Sequence, residues 1–328
     1  MRIFRNNNLF FFALKISAVT LFLMTVISCS GTDSTSAGET SSAAVSVKKY
    51  DFTFSGANAL KHVYDQVALG PRTSVNGKQL ACAEYISSKL KALGFETSLQ
   101  SFTGETGKGA GVKFYNVIAT FNPANKSGYK VFGAHYDTLP YAPRDPDPKK
   151  QQTPIDGAND GASGVAVLLE LARAVSQKKD ALDSGVKLVF FDGEDFYTDV
   201  ENMFYGSKYF AASLKPSDIS SFKYFILVDM VGDSDLGIYK DQNSQSANPD
   251  FNNYVFSNAK ALGLKGINDT VKYEIADDHV PMIAVKITSA LLIDFDYPAW
   301  HTASDTIDRI SAEALEQTGK LLEYLVFN

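Results

Sequence analysis

The sequence has few cysteines and a deficit of positive charge. Its 328 residues include only two cysteines, Cys29 and Cys82, and its 31 lysines and arginines are outnumbered by 37 acidic residues, giving a net charge of −6 at pH 7. An acidic balance argues against nucleic acid as a partner. Cys82 falls in an amphipathic segment and is predicted to fill the core rather than to act as a nucleophile. If Cys29 is modified, Cys82 has no partner and no intrachain disulfide can form.

The N-terminal 28 residues contain an apolar run with three basic residues and no acidic ones, and this run ends at Val26-Ile27-Ser28-Cys29. A charged start, an apolar middle and small residues before a cleavage point are typical of a secretory signal. A cysteine directly after the cut resembles the bacterial lipobox, whose cysteine is acylated. We therefore predict a lipoprotein signal peptide over residues 1–28 and a lipid anchor on Cys29. A single transmembrane anchor is the alternative, and both interpretations place the protein outside the cytoplasm.

Residues 29–48 are predicted to form a flexible tether, because they are rich in Ser, Thr, Gly and Ala and offer little to bury. Without the signal the chain keeps 28 basic and 37 acidic residues, a net charge of −9. Residues 49–328 show no internal repeat and no second core-sized region, so we predict one catalytic domain. It would be held at the membrane, facing the periplasm or the cell surface, by the N-terminal lipid.

Strands and helices alternate from residue 130 to the end of the chain. Apolar strands are predicted over residues 130–135, 186–191, 222–231 and 291–295, after two earlier helices (54–68, 79–93) and two earlier strands (95–102, 114–121). This pattern predicts an α/β fold, a single domain whose mixed central sheet has parallel core strands and helices on both faces. A polar, proline-rich insertion over residues 139–154 is predicted to be an extended surface loop.

Metal-competent side chains end or follow these strands: His135, Glu194, Asp195, Asp229 and His301. In such sheets, sites form at the carboxyl ends of the strands. Asp160 joins them at the entrance to an apolar helix, among Gly157, Gly161 and Gly164, and glycines permit a close approach of the backbone to a ligand. Zinc prefers His nitrogen and carboxylate oxygen. Each residue alone could be a packed histidine or a helix cap, but the set at one edge predicts a metal site, with Asp160 placed to bridge two ions.

Glu194 and Asp195 are adjacent at a strand end, where neighbouring side chains point in different directions. One can therefore bind metal while the other acts as a general base. Asp137, two residues beyond His135, is suited to hold the imidazole tautomer from outside the ligand shell. His279 is predicted to support its loop and not to bind metal.

The order HYD, GANDGASGVAVLLELAR, FFDGED, VDMVGD and WHT resembles the zinc aminopeptidase family with co-catalytic metals, over nearly all of residues 50–328. Four features resemble its glutaminyl cyclase branch: FYNVIATFNP, YGSKYFA, ADDHVP and WHT. The insertion DPDPKKQQTPIDGAND resembles the bacterial members of that branch. Animal cyclases carry Glu where this chain has Asp195.

The resemblance implies a role for each matching residue. Glu194 would shuttle the proton, Asp278 would help to stabilise the developing charge, Asp229 would lie near the reacting amine, and Trp300 would wall the substrate pocket. In an aminopeptidase, His135 and Asp229 would hold a second zinc ion. The zinc ligands implied for a cyclase are Asp160, Asp195 and His301.

Three functions are compatible with the sequence. The first is a zinc-dependent glutaminyl-peptide cyclotransferase with one zinc ion, which converts the N-terminal Gln of peptides or proteins to pyroglutamate and releases ammonia. The second is a metalloaminopeptidase, in which one or two zinc ions activate a water molecule to hydrolyse N-terminal residues. The third is a non-catalytic surface binding module, which the complete set of ligand types disfavours.

Overall fold

The computed structural model describes residues 50–106, 109–197 and 202–328. The predicted signal peptide, the tether and Cys29 lie outside these residues and stay predictions. In the part of the chain that is described, no helix is both long and apolar enough to cross a membrane.

The described residues form eight strands, six of them in one central sheet. They are β1 (Glu96–Thr106), β2 (Gly109–Phe121), β3 (Tyr129–His135), β4 (Gly185–Phe191), β5 (Phe222–Asp229), β6 (Ile238–Asp241), β7 (Ile267–Tyr273) and β8 (Ser289–Ile293). The sheet order is β1-β2-β4-β3-β5-β8, and β6 pairs with β7 separately. Pairs β1–β2 and β2–β4 are antiparallel, whereas β4, β3, β5 and β8 run parallel. The predicted mixed sheet with a parallel core is therefore confirmed.

Helices cover both faces of this sheet. They are α1 (Gly56–Val67), α2 (Lys78–Ala92), α3 (Ala162–Gln177), α4 (Tyr205–Ser213), α5 (Pro216–Ser221), α6 (Gln242–Ala247), α7 (Pro249–Ala261), α8 (His279–Ala284) and α9 (Ala312–Phe327). In β5, Ile226 and Val228 pack with α1, α2, α3 and α9, while Phe225 and Leu227 pack with α4 and α8 on the other face. Because successive side chains of a strand point to opposite faces, an apolar strand such as β5 requires two covering layers.

Two predicted details differ from the structure. The first hairpin is longer than expected, since β1 reaches Thr106 and β2 begins at Gly109. These extensions lie in a glycine-rich stretch between the two predicted strands, whose sequence has no apolar alternation that would predict a strand. Strands β6 and β7 were not predicted, because most of β7 is exposed or half-buried and its sequence shows no buried face. Cys82 lies fully buried in the core, as predicted, and burial raises the pKa of its thiol to about 12.

Candidate active site and metal centre

The candidate residues lie together at one edge of the sheet, where the parallel strands end. His135 ends β3, Asp229 ends β5, Glu194 and Asp195 follow β4, and Asp160 precedes α3. His301 lies in the loop after β8. All six residues are buried, with exposed fractions of 7% or less. Ionisable groups are rarely buried unless they are paired or bind a metal, so this edge is the candidate functional site.

Asp160 lies between the two histidines. Its Oδ1 is 3.1 Å from Nε2 of His135, and its Oδ2 is 3.6 Å from Nε2 of His301. Each histidine has a further carboxylate beside it: Asp229 Oδ1 is 3.0 Å from His135 Nε2, and Asp195 Oδ1 is 3.3 Å from His301 Nε2. The site is therefore two half-sites, one with His301 and one with His135, which share the Asp160 carboxylate.

The residues fit a metal ion. Ligand atoms from His135, Asp160, Glu194 and Asp195 all lie within 4.8 Å of one another, and the buried Nδ1 of His135 has no hydrogen-bond partner among the described residues. This foursome includes Glu194 instead of His301, although His301 Nε2 also contacts Asp160 and Asp195. Several buried carboxylates around two imidazoles are costly unless a cation or protons compensate their charge, and imidazole with carboxylate is a donor set that zinc prefers.

Within the cluster, burial and the neighbouring charges shift the pKa values toward the protonated forms. Burial, together with the charge on Asp195, raises the pKa of Glu194 well above its ordinary value. Burial, then the charge on Asp160, raises the pKa of Asp195 to about 6. Burial alone would lower the pKa of His135, but Asp229 and Glu194 outweigh it and raise that pKa well above the usual range. A metal ion would displace such protons, because ligands bind in their deprotonated form.

The glycines around Asp160 are needed because the backbone there lies in close contact with neighbouring strands. A Cβ atom on Gly161 would lie 2.6 Å from Cε1 of His135, and one on Gly164 would lie 2.3 Å from the carbonyl oxygen of Val228. No side chain fits at either distance. The glycines thus let the Asp160 loop and the first turn of α3 lie against β3 and β5, which carry His135 and Asp229.

Asp137 holds the Glu194–Asp195 turn. Its Oδ1 and Oδ2 accept hydrogen bonds from the backbone N–H groups of Glu194 (3.2 Å) and Asp195 (3.0 Å). The distance from its Oδ1 to Nδ1 of His135 is 3.7 Å, beyond hydrogen-bonding range. Asp137 therefore supports the site through the turn that carries two neighbouring acids, and its predicted role toward the imidazole stays a prediction.

Two buried residues that sequence reasoning did not single out position the Asp160 loop. The carboxylate of Asp305 accepts hydrogen bonds from the N–H groups of Asn159 (2.8 Å) and Asp160 (3.1 Å) and from the hydroxyl of Tyr297 (2.8 Å). Burial raises the pKa of Asp305 to about 7. Its place four residues after His301 was a possible signal for this role.

Arg72 is the second of these residues. Its fully buried guanidinium donates to the carbonyl oxygens of Tyr136 (3.1 Å), Gly157 (2.7 Å) and Asp156. It thereby ties the end of β3 to the loop that carries Asp160. Arg72 stands in a turn-rich connector far away in sequence, where no local pattern reveals such a role.

A cavity of about 450 Å³ opens above the cluster. Its lining residues are Pro143, Arg144, Met203, Phe204, Glu274, Ile275, Ala276, Phe295, Trp300 and His301. A narrow inner space of about 40 Å³ continues from Trp300 and His301 to Asp160, Glu194, Asp195 and Asp229. Trp300 thus lines both the wide cavity and the inner space beside the cluster.

The acid that borders the inner space from the ADDHVP segment is Asp277, not Asp278. Asp278 is fully buried at the start of α8 and is not among the residues that line the two cavities. The structure thus brings Asp277 to the inner space, with Asp278 buried behind it, and both charges act on Glu194; the catalytic role of Asp278 stays a prediction. His279 supports its loop as predicted: its Nε2 lies 3.0 Å from Oδ2 of the buried Asp241.

Residues 116–326 match peptidase family M28. The chain belongs to this family. It is 33% identical to a Zn-dependent exopeptidase from Parabacteroides distasonis (TM-score 0.78, covering 84% of this chain and 98% of that one). It is 32% identical to the Bacteroides thetaiotaomicron glutaminyl cyclase bound to N-acetylhistamine (TM-score 0.77, 84% and 98%).

The chain is similar to relatives that are named for each of the two candidate activities. A leucine aminopeptidase precursor from Bacteroides thetaiotaomicron is 33% identical (TM-score 0.77, covering 84% of this chain and 97% of that one). The glutaminyl-peptide cyclotransferase of the snake Boiga irregularis is 25% identical over 292 residues, covering 75% of this chain and 74% of that protein. The predicted resemblance to zinc exopeptidases and their glutaminyl cyclase branch is confirmed.

Proposed function

We propose that this M28 protein is a zinc-dependent glutaminyl-peptide cyclotransferase acting on the N-termini of peptides or proteins. The observation that carries the proposal is the placement of Glu194. It is 6% exposed, it borders the narrow inner space, and it adjoins the metal-competent Asp195. The likeness to solved glutaminyl cyclases over almost their whole length supports the same activity.

The reaction needs one proton to move within the substrate. The α-amine nitrogen attacks the side-chain amide carbon of Gln, a C–N bond forms, and the amide nitrogen leaves as ammonia. Glu194 takes the proton that the amine loses and delivers it to the departing nitrogen. Burial and the neighbouring charge of Asp195 raise the pKa of Glu194 above that of an ordinary glutamate, which favours acceptance of the proton from the amine.

The other residues of the site bind and orient the substrate. Asp229 and Asp277 border the inner space and would accept hydrogen bonds from the α-amine. Trp300 would pack against the substrate and help to exclude bulk water. Asp160, Asp195 and His301 would hold a zinc ion, which when bound would polarise the side-chain carbonyl as a Lewis acid.

A specific observation favours aminopeptidase activity as the second candidate. His135 and Asp229 remain 3.0 Å apart, and Asp160 lies between both histidines, an arrangement that suits two ions bridged by one carboxylate. In that case Glu194 would take its proton from a water molecule. We therefore propose one zinc ion for the cyclase and one or two for the aminopeptidase.

One zinc-loaded sample decides between the two activities. Gln-initiated peptides are assayed for ammonia and pyroglutamate, and amino-acid arylamides are assayed for released arylamine. We expect ammonia and pyroglutamate in equal amounts and little arylamine. Arylamine release without ammonia would overturn the cyclase proposal and support the aminopeptidase.

We also propose export and anchoring through an acylated Cys29, at a membrane facing the periplasm or the cell surface. This proposal is supported by the sequence of residues 1–29.

A further inference from the structure

Arg144 places an unpaired cation at the wide cavity. Its guanidinium carbon lies 4.3 Å from the centroid of the Trp300 ring, and the residue is exposed and lines the opening. Among the described residues no carboxylate forms an ion pair with it, in contrast to the buried Lys130 and Lys240, each of which pairs with an aspartate. In an acidic protein, a free guanidinium beside the candidate active site is a group that can bind an anion.

The backbone around Arg144 is fastened to the turn that carries His301. The N–H of Arg144 donates to the carbonyl oxygen of His301 at 3.1 Å. Asp145, only 3% exposed, accepts a hydrogen bond from the N–H of Ala303 through Oδ2 (3.0 Å) and one from the N–H of Asp147 through Oδ1 (2.9 Å). The insertion predicted as a surface loop is thus anchored at this point, and cation–π contact with Trp300 holds the guanidinium above the ring.

Glu274 is the other exposed ionic side chain in the described lining of this cavity. No hydrogen bond or ion pair fixes Glu274 in the described part of the chain, whereas Arg144 is held by its backbone and by Trp300. A fixed cation loses less conformational freedom on binding than a free side chain does. Arg144 is therefore expected to dominate recognition at the opening.

We propose that Arg144 is a specificity-determining residue that binds a carboxylate on the second or third residue of the peptide substrate. The His301 and Trp300 ring centroids are 4.3 Å apart, and the guanidinium is another 4.3 Å from the Trp300 ring. An extended peptide advances roughly 3.3 Å per residue, so a chain whose N-terminal residue lies beside His301 reaches the level of the Arg144 guanidinium at about its second or third residue. The guanidinium fork matches the two oxygens of a carboxylate.

This inference rests on the proposed function only in that the substrate N-terminus enters the cavity. The test compares Gln-Glu-Ala amide, Gln-Ala-Glu amide and Gln-Lys-Ala amide, whose C-terminal amides remove the competing terminal carboxylate. For the wild-type protein we expect kcat/KM to favour the better acidic peptide over the basic one by about five- to tenfold at low salt, mainly through KM. The preference should shrink as salt screens the charges.

Substitutions then assign the preference to Arg144. Arg144→Gln should bring the acidic-to-basic ratio close to one, and Arg144→Glu should invert it. Glu274→Gln is the matched control, which removes a charge from the same cavity and should leave the acidic preference equal or larger. An acidic preference that survives in Arg144→Gln, or a wild-type protein with no acidic preference, would overturn the proposal.

Binding of pyroglutamyl peptides separates this proposal from the proposed function. Pyroglutamyl-Glu-Ala amide and pyroglutamyl-Lys-Ala amide have no free α-amine, so neither cyclisation nor aminopeptidase cleavage consumes them. Calorimetry on the zinc-loaded protein should show tighter binding of the acidic peptide, lost in Arg144→Gln. If no Gln-peptide is cyclised but this difference is seen, the cyclase proposal fails and the role of Arg144 stands. Equal binding of both peptides to the wild-type protein would contradict the role of Arg144 whatever the reaction.

Discussion

Replacing Glu194 by Gln tests the proton shuttle directly. Glu194 is 6% exposed and borders a space of about 40 Å³, so a residue of the same shape should be accommodated without a cavity or a clash. Gln keeps the hydrogen-bonding reach of the carboxylate but cannot carry the proton. A general acid–base group typically contributes on the order of 10²–10⁴-fold to the rate, which corresponds to roughly 3–5 kcal/mol in the barrier. We expect kcat for ammonia release to fall by this factor.

Zinc content separates a lost shuttle from a lost ligand. Glu194→Gln should keep the zinc of the wild-type protein, measured by elemental analysis after gel filtration. Asp195→Ala is the matched control: it removes the carboxylate 3.3 Å from His301 Nε2, leaves a metal ion short of one ligand, and should lose zinc and activity together. Zinc retained in Asp195→Ala but lost in Glu194→Gln would show that the two roles are reversed. Full activity in both variants would remove this turn from the mechanism.

Three further predictions concern support, pH and anchoring. Asp305→Ala leaves two loop N–H groups and the Tyr297 hydroxyl without their acceptor, so we expect zinc affinity about 10–100-fold weaker by chelator competition; unchanged affinity would refute the positioning role. Burial raises the pKa of Asp278 and of Asp305 to about 7, so the folded metal-free protein binds more protons than the unfolded chain between about pH 4 and 7. Its denaturation midpoint should fall as pH rises through that range, and a midpoint that rises instead would contradict this sign. Cys29→Ser should move the protein from the membrane fraction to the soluble one, and unchanged fractionation would argue for the transmembrane alternative.

Most of the chemistry of the site could be predicted from the sequence, because it depends on residue types at the ends of apolar strands. His135 and Asp229 each end an apolar strand, and Glu194 and Asp195 follow one. In a parallel sheet those ends meet at one edge, so their convergence followed from the strand pattern alone. The glycines beside Asp160 likewise predicted a close approach of the backbone to a neighbouring group. In the structure Gly161 approaches His135, and Gly164 approaches Val228.

Other features depended on partners that are distant in the chain. Apolar alternation shows that a segment has a buried face, but not which strand lies beside it; the order β1-β2-β4-β3-β5-β8 is decided by packing. The role of Arg72 could not be predicted for the same reason, since its carbonyl acceptors are more than sixty residues away in the chain.

The choice between neighbouring acids was likewise decided by the tertiary structure. Asp277 rather than Asp278 borders the inner space, because the start of α8 turns one carboxyl toward the cavity and the next into the interior. Asp137 caps two N–H groups of the Glu194–Asp195 turn because β3 and β4 are neighbours in the sheet. Residue type and spacing determined what these side chains can do chemically, and long-range packing determined which group each one meets.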